Sequence, residues 1–129
     1  MEPTITCGKH FANHCKMTGS RFEDVCLGDA EFDNVSLTGA RFHNINFSDV
    51  TITAANFGGA TFKHIGPAPD ESGKHPLQRP ILFTEADLNA SRFERVNLKN
   101  VEIKDCEISG MKINGILIED LLAKYNDKE

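Results

Sequence analysis

A chain of 129 residues with 40% hydrophobic and 26% charged side chains suits one folded domain with a core, and is neither a disordered tail nor a collagen-like fibre. Its 14 Lys and Arg against 19 Asp and Glu give a net charge of -5, the wrong sign for a general binder of nucleic acid or anionic membranes. No stretch approaches the ~20 apolar residues of a membrane span, so we expect neither direct nucleic-acid nor membrane binding.

The chain starts Met-Glu-Pro-Thr-Ile-Thr-Cys, without the basic segment and apolar run of a secretion signal. Cysteines at 7, 15, 26 and 106 are too few and too irregular for a disulfide framework, and both features point to a cytoplasmic protein. Ile5, Phe11 and Met17 are spaced by six, which predicts an irregular first coil. The same segment has the one spacing that suits a metal: Cys7, His10, His14 and Cys15 offer the thiolates and imidazoles that zinc takes. Against zinc, Cys15 falls in a core-like column and neither pair has finger spacing. The expectation is therefore no metal and no cofactor.

From about residue 15 to 64 large apolar residues recur every five positions: Phe22, Leu27, Phe32, Leu37, Phe42, Phe47, Ile52, Phe57 and Phe62. A helix turning about 100° per residue would smear this stripe around its axis, and a flat strand would send successive members to opposite faces. The backbone must therefore turn once per repeat. Two residues before each centre is another apolar or small residue, as in Val25, Ala30, Val35, Ala40, Ile45 and Val50, while Gly28-Asp29, Asp33-Asn34, Thr38-Gly39 and Gly58-Gly59 supply turn chemistry after it. Each unit is a short extended stub plus a corner. Stacked coils of such units would pair stub over stub at about 4.8 Å around ladders of Phe and Leu, which is a solenoid.

The units Ala30-Glu31-Phe32-Asp33-Asn34, Ala40-Arg41-Phe42-His43-Asn44 and Ala86-Asp87-Leu88-Asn89-Ala90 resemble the Ala-Asp/Asn-Leu/Phe-X-X consensus of pentapeptide-repeat proteins, over about 85 residues in all. The resemblance implies an all-β fold, a right-handed, quadrilateral (four-sided) β-helix solenoid with four pentapeptides per coil, filling residues 1–129 as a single domain.

Residues 65–80 break the period, and Phe62 to Phe83 spans 21 residues, one more than a multiple of five. This stretch holds four of the five prolines and reads as one long insertion loop. It is either a passive surface insertion or a recognition loop carried on a rigid scaffold. In the second case Lys74, His75, Leu77, Gln78 and Arg79 are its contacts, a basic and partly apolar tip on an acidic protein.

The period resumes over about 81–120 with Phe83, Leu88, Phe93, Leu98, Ile103, Ile108, Ile113 and Ile118. All 17 periodic centres are Phe, Leu or Ile, types that make up 28 of 129 residues, so the pattern is not accidental. A short C-terminal helix follows at about 119–126, acidic at its start and with Lys124 near its end. Leu117, Leu121, Leu122 and Tyr125 are candidates for capping the last coil of the same chain, leaving a monomer, or for completing a C-terminal homodimer.

No catalytic constellation stands out, so no enzyme is expected: the acids lie on outward or corner positions, and phosphate loops, nucleophile elbows and metalloprotease motifs are lacking. Cys106 reads as a small buried hydrophobe and Cys26 as outward. The leading expectation is a non-catalytic protein-protein interaction module whose protein partner is not specified by the sequence. Some members of the resembled family imitate duplex DNA and bind type II topoisomerases such as gyrase, modulating quinolone sensitivity. For that alternative the acidic candidates are Asp29, Glu31, Asp33, Asp49, Glu85, Asp87, Glu102, Asp105 and Glu107. Each run is only moderately acidic, with six acids and three bases in residues 20–64 and eight and five in residues 81–120.

Overall fold

The structure, a computed structural model, describes residues 4–127. The expectation of a leaderless start rests partly on Met1, Glu2 and Pro3, outside the described residues. The chain divides into two units between Ala60 and Thr61.

In the first unit the backbone enters the left-handed region at His14, Gly19, Asp24, Asp29, Asn34, Gly39, Asn44, Asp49, Ala54 and Gly59, every fifth residue. In the second it does so at His64 and again at Glu85, Ala90, Arg95, Asn100, Asp105 and Gly110. From Asp24 onward each lies two positions after a Phe, Leu or Ile centre, where the sequence places the corners. The pattern also runs further toward the N-terminus than the spacing of Ile5, Phe11 and Met17 suggests. Met17 is a regular centre, its carbonyl accepting the Ser20 N–H at 3.1 Å. Ala12 takes the centre before it and Phe11, 89% exposed, stands one residue out of register. The corner at His14 thus forms after a small centre, Ala12, without a large apolar residue there.

The corners are of two alternating kinds. After Met17, Leu27, Leu37, Phe47 and Phe57 the centre's carbonyl accepts the N–H three residues on, at 2.8 to 3.3 Å. The same bond follows Leu88, Leu98 and Ile108 at 2.9 to 3.1 Å. Between these turns lie bends at Asp24, Asn34, Asn44, Ala54 and His64, then at Glu85, Arg95 and Asp105. The residue before the centre has a part in this alternation. Side-chain oxygens of Asn46, Asn56, Asp87, Asn97 and Glu107 accept the N–H two residues on at 2.8 to 2.9 Å, pinning the turn from outside. Bend repeats carry Arg21, Glu31, Arg41, Thr51, Thr61, Leu82, Arg92 or Glu102 at that place. The structural unit is thus ten residues, one turn and one bend.

The expected coil-to-coil ladder is not formed in this structure. Among the described residues regular strand pairing is confined to two short strands near the C-terminus, and no described residue is buried. The physical difference is one of sequence distance: a corner bond closes three residues, whereas ladder pairing joins residues a whole coil apart at a larger entropic cost. Within the first unit, however, Phe22, Val25 and Leu27 line one hollow together with His43, Asn44 and Ile45, about twenty positions further on. Phe42 and Phe47 meet edge to face with ring centroids 5.6 Å apart, so these two successive centres share a side of the backbone.

At the C-terminus the repeat gives way to a hairpin, β1 (Lys112–Ile113) and β2 (Ile116–Leu117), with Lys112 opposite Leu117 and Ile113 opposite Ile116. Asn114 and Gly115 both have positive φ, 49° and 81°, as a two-residue type I′ turn requires. Helix α1 (Ile118–Asn126) follows directly. Its first N–H, from Ile118, reaches the Met111 carbonyl at 3.0 Å, and the Glu119 carboxylate accepts the Gly110 N–H at 2.7 Å. Ile108, Met111, Leu117 and Ile118 are half-buried here.

Candidate functional site

The 65–80 loop is organised by one residue that the sequence reading passed over. The Asp70 carboxylate accepts the Ser72 N–H at 2.9 Å, the Ser72 hydroxyl at 2.6 Å and the Lys74 N–H at 3.0 Å. The Asp70 N–H donates to the Lys74 carbonyl at 2.7 Å, and Gly73 N–H to the Asp70 carbonyl at 2.9 Å. These bonds close residues 70–74 into a tight tip, and those from Ser72 and Lys74 hold the Asp70 carboxyl below the usual aspartate range. The sequence signal was present in Asp70-Glu71-Ser72-Gly73, since Asp followed by small polar residues favours a turn closed by its own side chain.

Beyond the tip the backbone runs from Lys74 to Thr84 without turn or bend. This extended run carries all five loop candidates: Lys74, His75, Leu77, Gln78 and Arg79. Leu77 is 95% exposed, the most exposed large apolar side chain among the described residues. The Gln78 side-chain amide donates to the Arg79 carbonyl at 3.0 Å. The five candidates therefore lie in one contiguous segment that enters from a fixed tip.

The acidic candidates are all exposed, those of the first unit and those of the second forming separate sets. Asp29 and Asp49 occupy left-handed corners that follow turns, while Glu85 and Asp105 occupy bends. Glu31 and Asp33 flank the Phe32 centre, and Glu102 precedes Ile103. Asp87 and Glu107 are partly consumed as acceptors inside their own turns. The Ser109 hydroxyl and N–H hold the Glu107 carboxyl below the ordinary glutamate range. Two acids outside the candidate set pair with bases, Glu23 with Arg21 at 2.7 Å and Glu94 with both Arg92 and Arg95, all on the surface where such pairs contribute little.

Among the described residues no three His, Cys, Asp or Glu converge as a metal ion requires. Of the N-terminal four, His10 bonds through Nε2 to the Thr6 carbonyl, His14 sits in a corner, and Cys7 and Cys15 are free thiols. Cys106 is exposed in this structure, its Sγ 3.1 Å from the Lys104 carbonyl, where the sequence reading expects a buried side chain. With no ladder around it, the inward column here faces solvent. At the C-terminus Leu117 is half-buried, whereas Leu121, Leu122 and Tyr125 are exposed at 48%, 46% and 65%. Glu119 was the missed residue there, fastening the helix start to the Gly110 corner.

The corner geometry invites comparison with known repeat families. Residues 27–65 match the family model described as pentapeptide repeats (9 copies). This segment is a run of pentapeptide repeats. Comparison with curated proteins and with solved structures found no match. The pentapeptide corners from Glu85 to Gly110 follow the same geometry outside the matched residues. The segment is accordingly a repeat-protein scaffold, and no helix among the described residues is long and apolar enough to cross a membrane.

Proposed function

We propose that this pentapeptide-repeat chain is a non-catalytic protein-protein interaction module of the cytoplasm, with the 65–80 loop as its contact site. One observation carries this reading. The ten-residue alternation resumes after the loop as though four pentapeptides and one extra residue had intervened, since the bends at His64 and Glu85 are 21 residues apart. An excursion that leaves the scaffold's phase intact is free to serve recognition. Each run of repeats, in this reading, closes into a right-handed, four-sided β-helix. The match of residues 27–65 to pentapeptide repeats supports a β-helical solenoid as the form of this closure.

The test is a pull-down from native lysate with mass spectrometry, comparing the intact protein with a variant whose residues 67–80 are replaced by a short Gly-Ser linker. A partner lost with the loop is the expected result. Topoisomerase subunits retained equally by both forms would overturn it and move the contact to acids such as Glu31, Asp33, Glu102 and Asp105. A protein that runs as a dimer and becomes a monomer on Leu121→Glu/Leu122→Glu would assign the exposed helix residues to a C-terminal homodimer.

A further inference from the structure

We propose that residues 74–80 are a preformed polyproline-type ligand, read by a protein partner whose groove is lined with aromatic side chains and rimmed with acids. The proposal rests on the loop reading above and specifies how the loop is recognised.

The segment is Lys74-His75-Pro76-Leu77-Gln78-Arg79-Pro80. Each proline fixes its own φ near -65° and drives the preceding residue away from the helical region, so His75, Pro76, Arg79 and Pro80 are four of seven residues already held extended. The run has no turn or bend and forms no regular strand pair. An extended, proline-bearing backbone outside any regular strand pair fits the polyproline II conformation, with three residues per turn and about 3.1 Å of rise. At that period Lys74, Leu77 and Pro80 form one ridge, Pro76 and Arg79 a second, and His75 and Gln78 the third. The first two ridges combine apolar surface with both cations, and residues 74–80 contain no acid. The third is polar, and its Gln78 amide bonds the segment's own backbone at the Arg79 carbonyl.

This asymmetry selects the mode of binding. Strand addition to a sheet edge needs consecutive ladder donors, and Pro76 and Pro80 lack the N–H on the same strand edge. Aromatic-lined grooves instead take two adjacent ridges of a polyproline helix and gain because little entropy remains to be lost. The Asp70-centred tip, closed at its Lys74 end, fixes where the segment starts, which lowers the ordering cost further.

The test uses the full chain, immobilised against a panel of purified SH3, WW and EVH1 domains, beside a Pro76→Ala/Pro80→Ala double variant with an unchanged circular dichroism spectrum. The expected result is retention of at least one domain by the parent, weakened about tenfold or more in the proline variant and by Leu77→Ala, but within about twofold for His75→Ala and Gln78→Ala. No retained domain, or equal retention by the proline variant, would overturn the polyproline mode. The lysate experiment separates this failure from that of the loop itself. A partner lost on Gly-Ser replacement of 67–80 yet kept by the proline variant removes only the present inference, while a partner kept by both removes the loop reading as well.

Discussion

At the scale of single residues the fold is a repeated demand for one left-handed residue. Of the fourteen non-glycine residues with positive φ, ten are Asp, Asn or His, the types whose short polar side chains tolerate that region. Ala54 (φ 53°) and Ala90 (φ 63°) meet the same demand without that help. Ala54→Asn and Ala90→Asn are therefore expected to raise unfolding free energy by about 0.5 kcal/mol each, whereas Gly59→Val, at φ 79°, should lower it by roughly 1–2 kcal/mol. Urea denaturation checks all three. Asn46→Ala and Asn56→Ala remove the side-chain acceptor of a turn and should cost about 0.5–1.5 kcal/mol each by the same measurement. Asp70 and Glu107 add a pH dependence whose sign follows from their hydrogen bonds. Both folded-state pKa values are depressed, so the contribution is present above the ordinary carboxylate range of about 4 and is lost as pH falls through the lower folded values. An NMR titration should give both groups midpoints below the ordinary carboxylate range, and midpoints within that range would contradict the turn geometry.

At the scale of elements the sequence was most legible where one repeat determines its own shape. The centres and corners follow from five-residue spacing and from Gly, Asn and Asp two positions after each centre, because a corner is a local structure. The alternation of turn and bend was also written in the chain, as Asn46, Asn56, Asp87 and Asn97 against Arg21, Arg41 and Arg92, but it becomes visible only once the turns are seen to close. Asn114-Gly115 illustrates the opposite failure. It falls after the Ile113 centre, where five-residue spacing puts a corner, yet it is a hairpin turn, signalled by the Asn-Gly pair between Ile113 and Ile116. In the loop the exposed contacts stood out by charge, while Asp70, which shapes the tip, did not. The ten-residue unit has a mechanical consequence. Deleting residues 65–85 joins the bend at His64 to the turn repeat of Leu88 and keeps the alternation, whereas deleting 65–80 joins it to the bend repeat of Phe83 and places two bends in succession. The 65–85 deletion is expected to melt near the parent, and the shorter 65–80 deletion several degrees lower, by differential scanning calorimetry.

At the scale of the molecule the apolar columns set the energetic problem. Phe22, Phe32, Phe42 and Phe62 are 57% to 67% exposed, and at about 25 cal/mol per Å² their burial is the largest stabilisation available to the chain. Closing the coils so that the Phe and Leu ladders cover one another would capture it without altering any corner. The sequence carried this information only indirectly, since residues a coil apart meet through geometry that no single repeat encodes. The most direct measurement is disulfide trapping inside the first unit, in a background without the native cysteines. Val25→Cys with Ile45→Cys, twenty residues apart, should crosslink on mild oxidation, because in the proposed coil of four pentapeptides stacked stubs would lie about 4.8 Å apart, within the Cα separation a disulfide spans. Val25→Cys with Ala40→Cys, fifteen apart, should not. Efficient crosslinking of the 25/40 pair, or of neither pair, would contradict a coil of four pentapeptides.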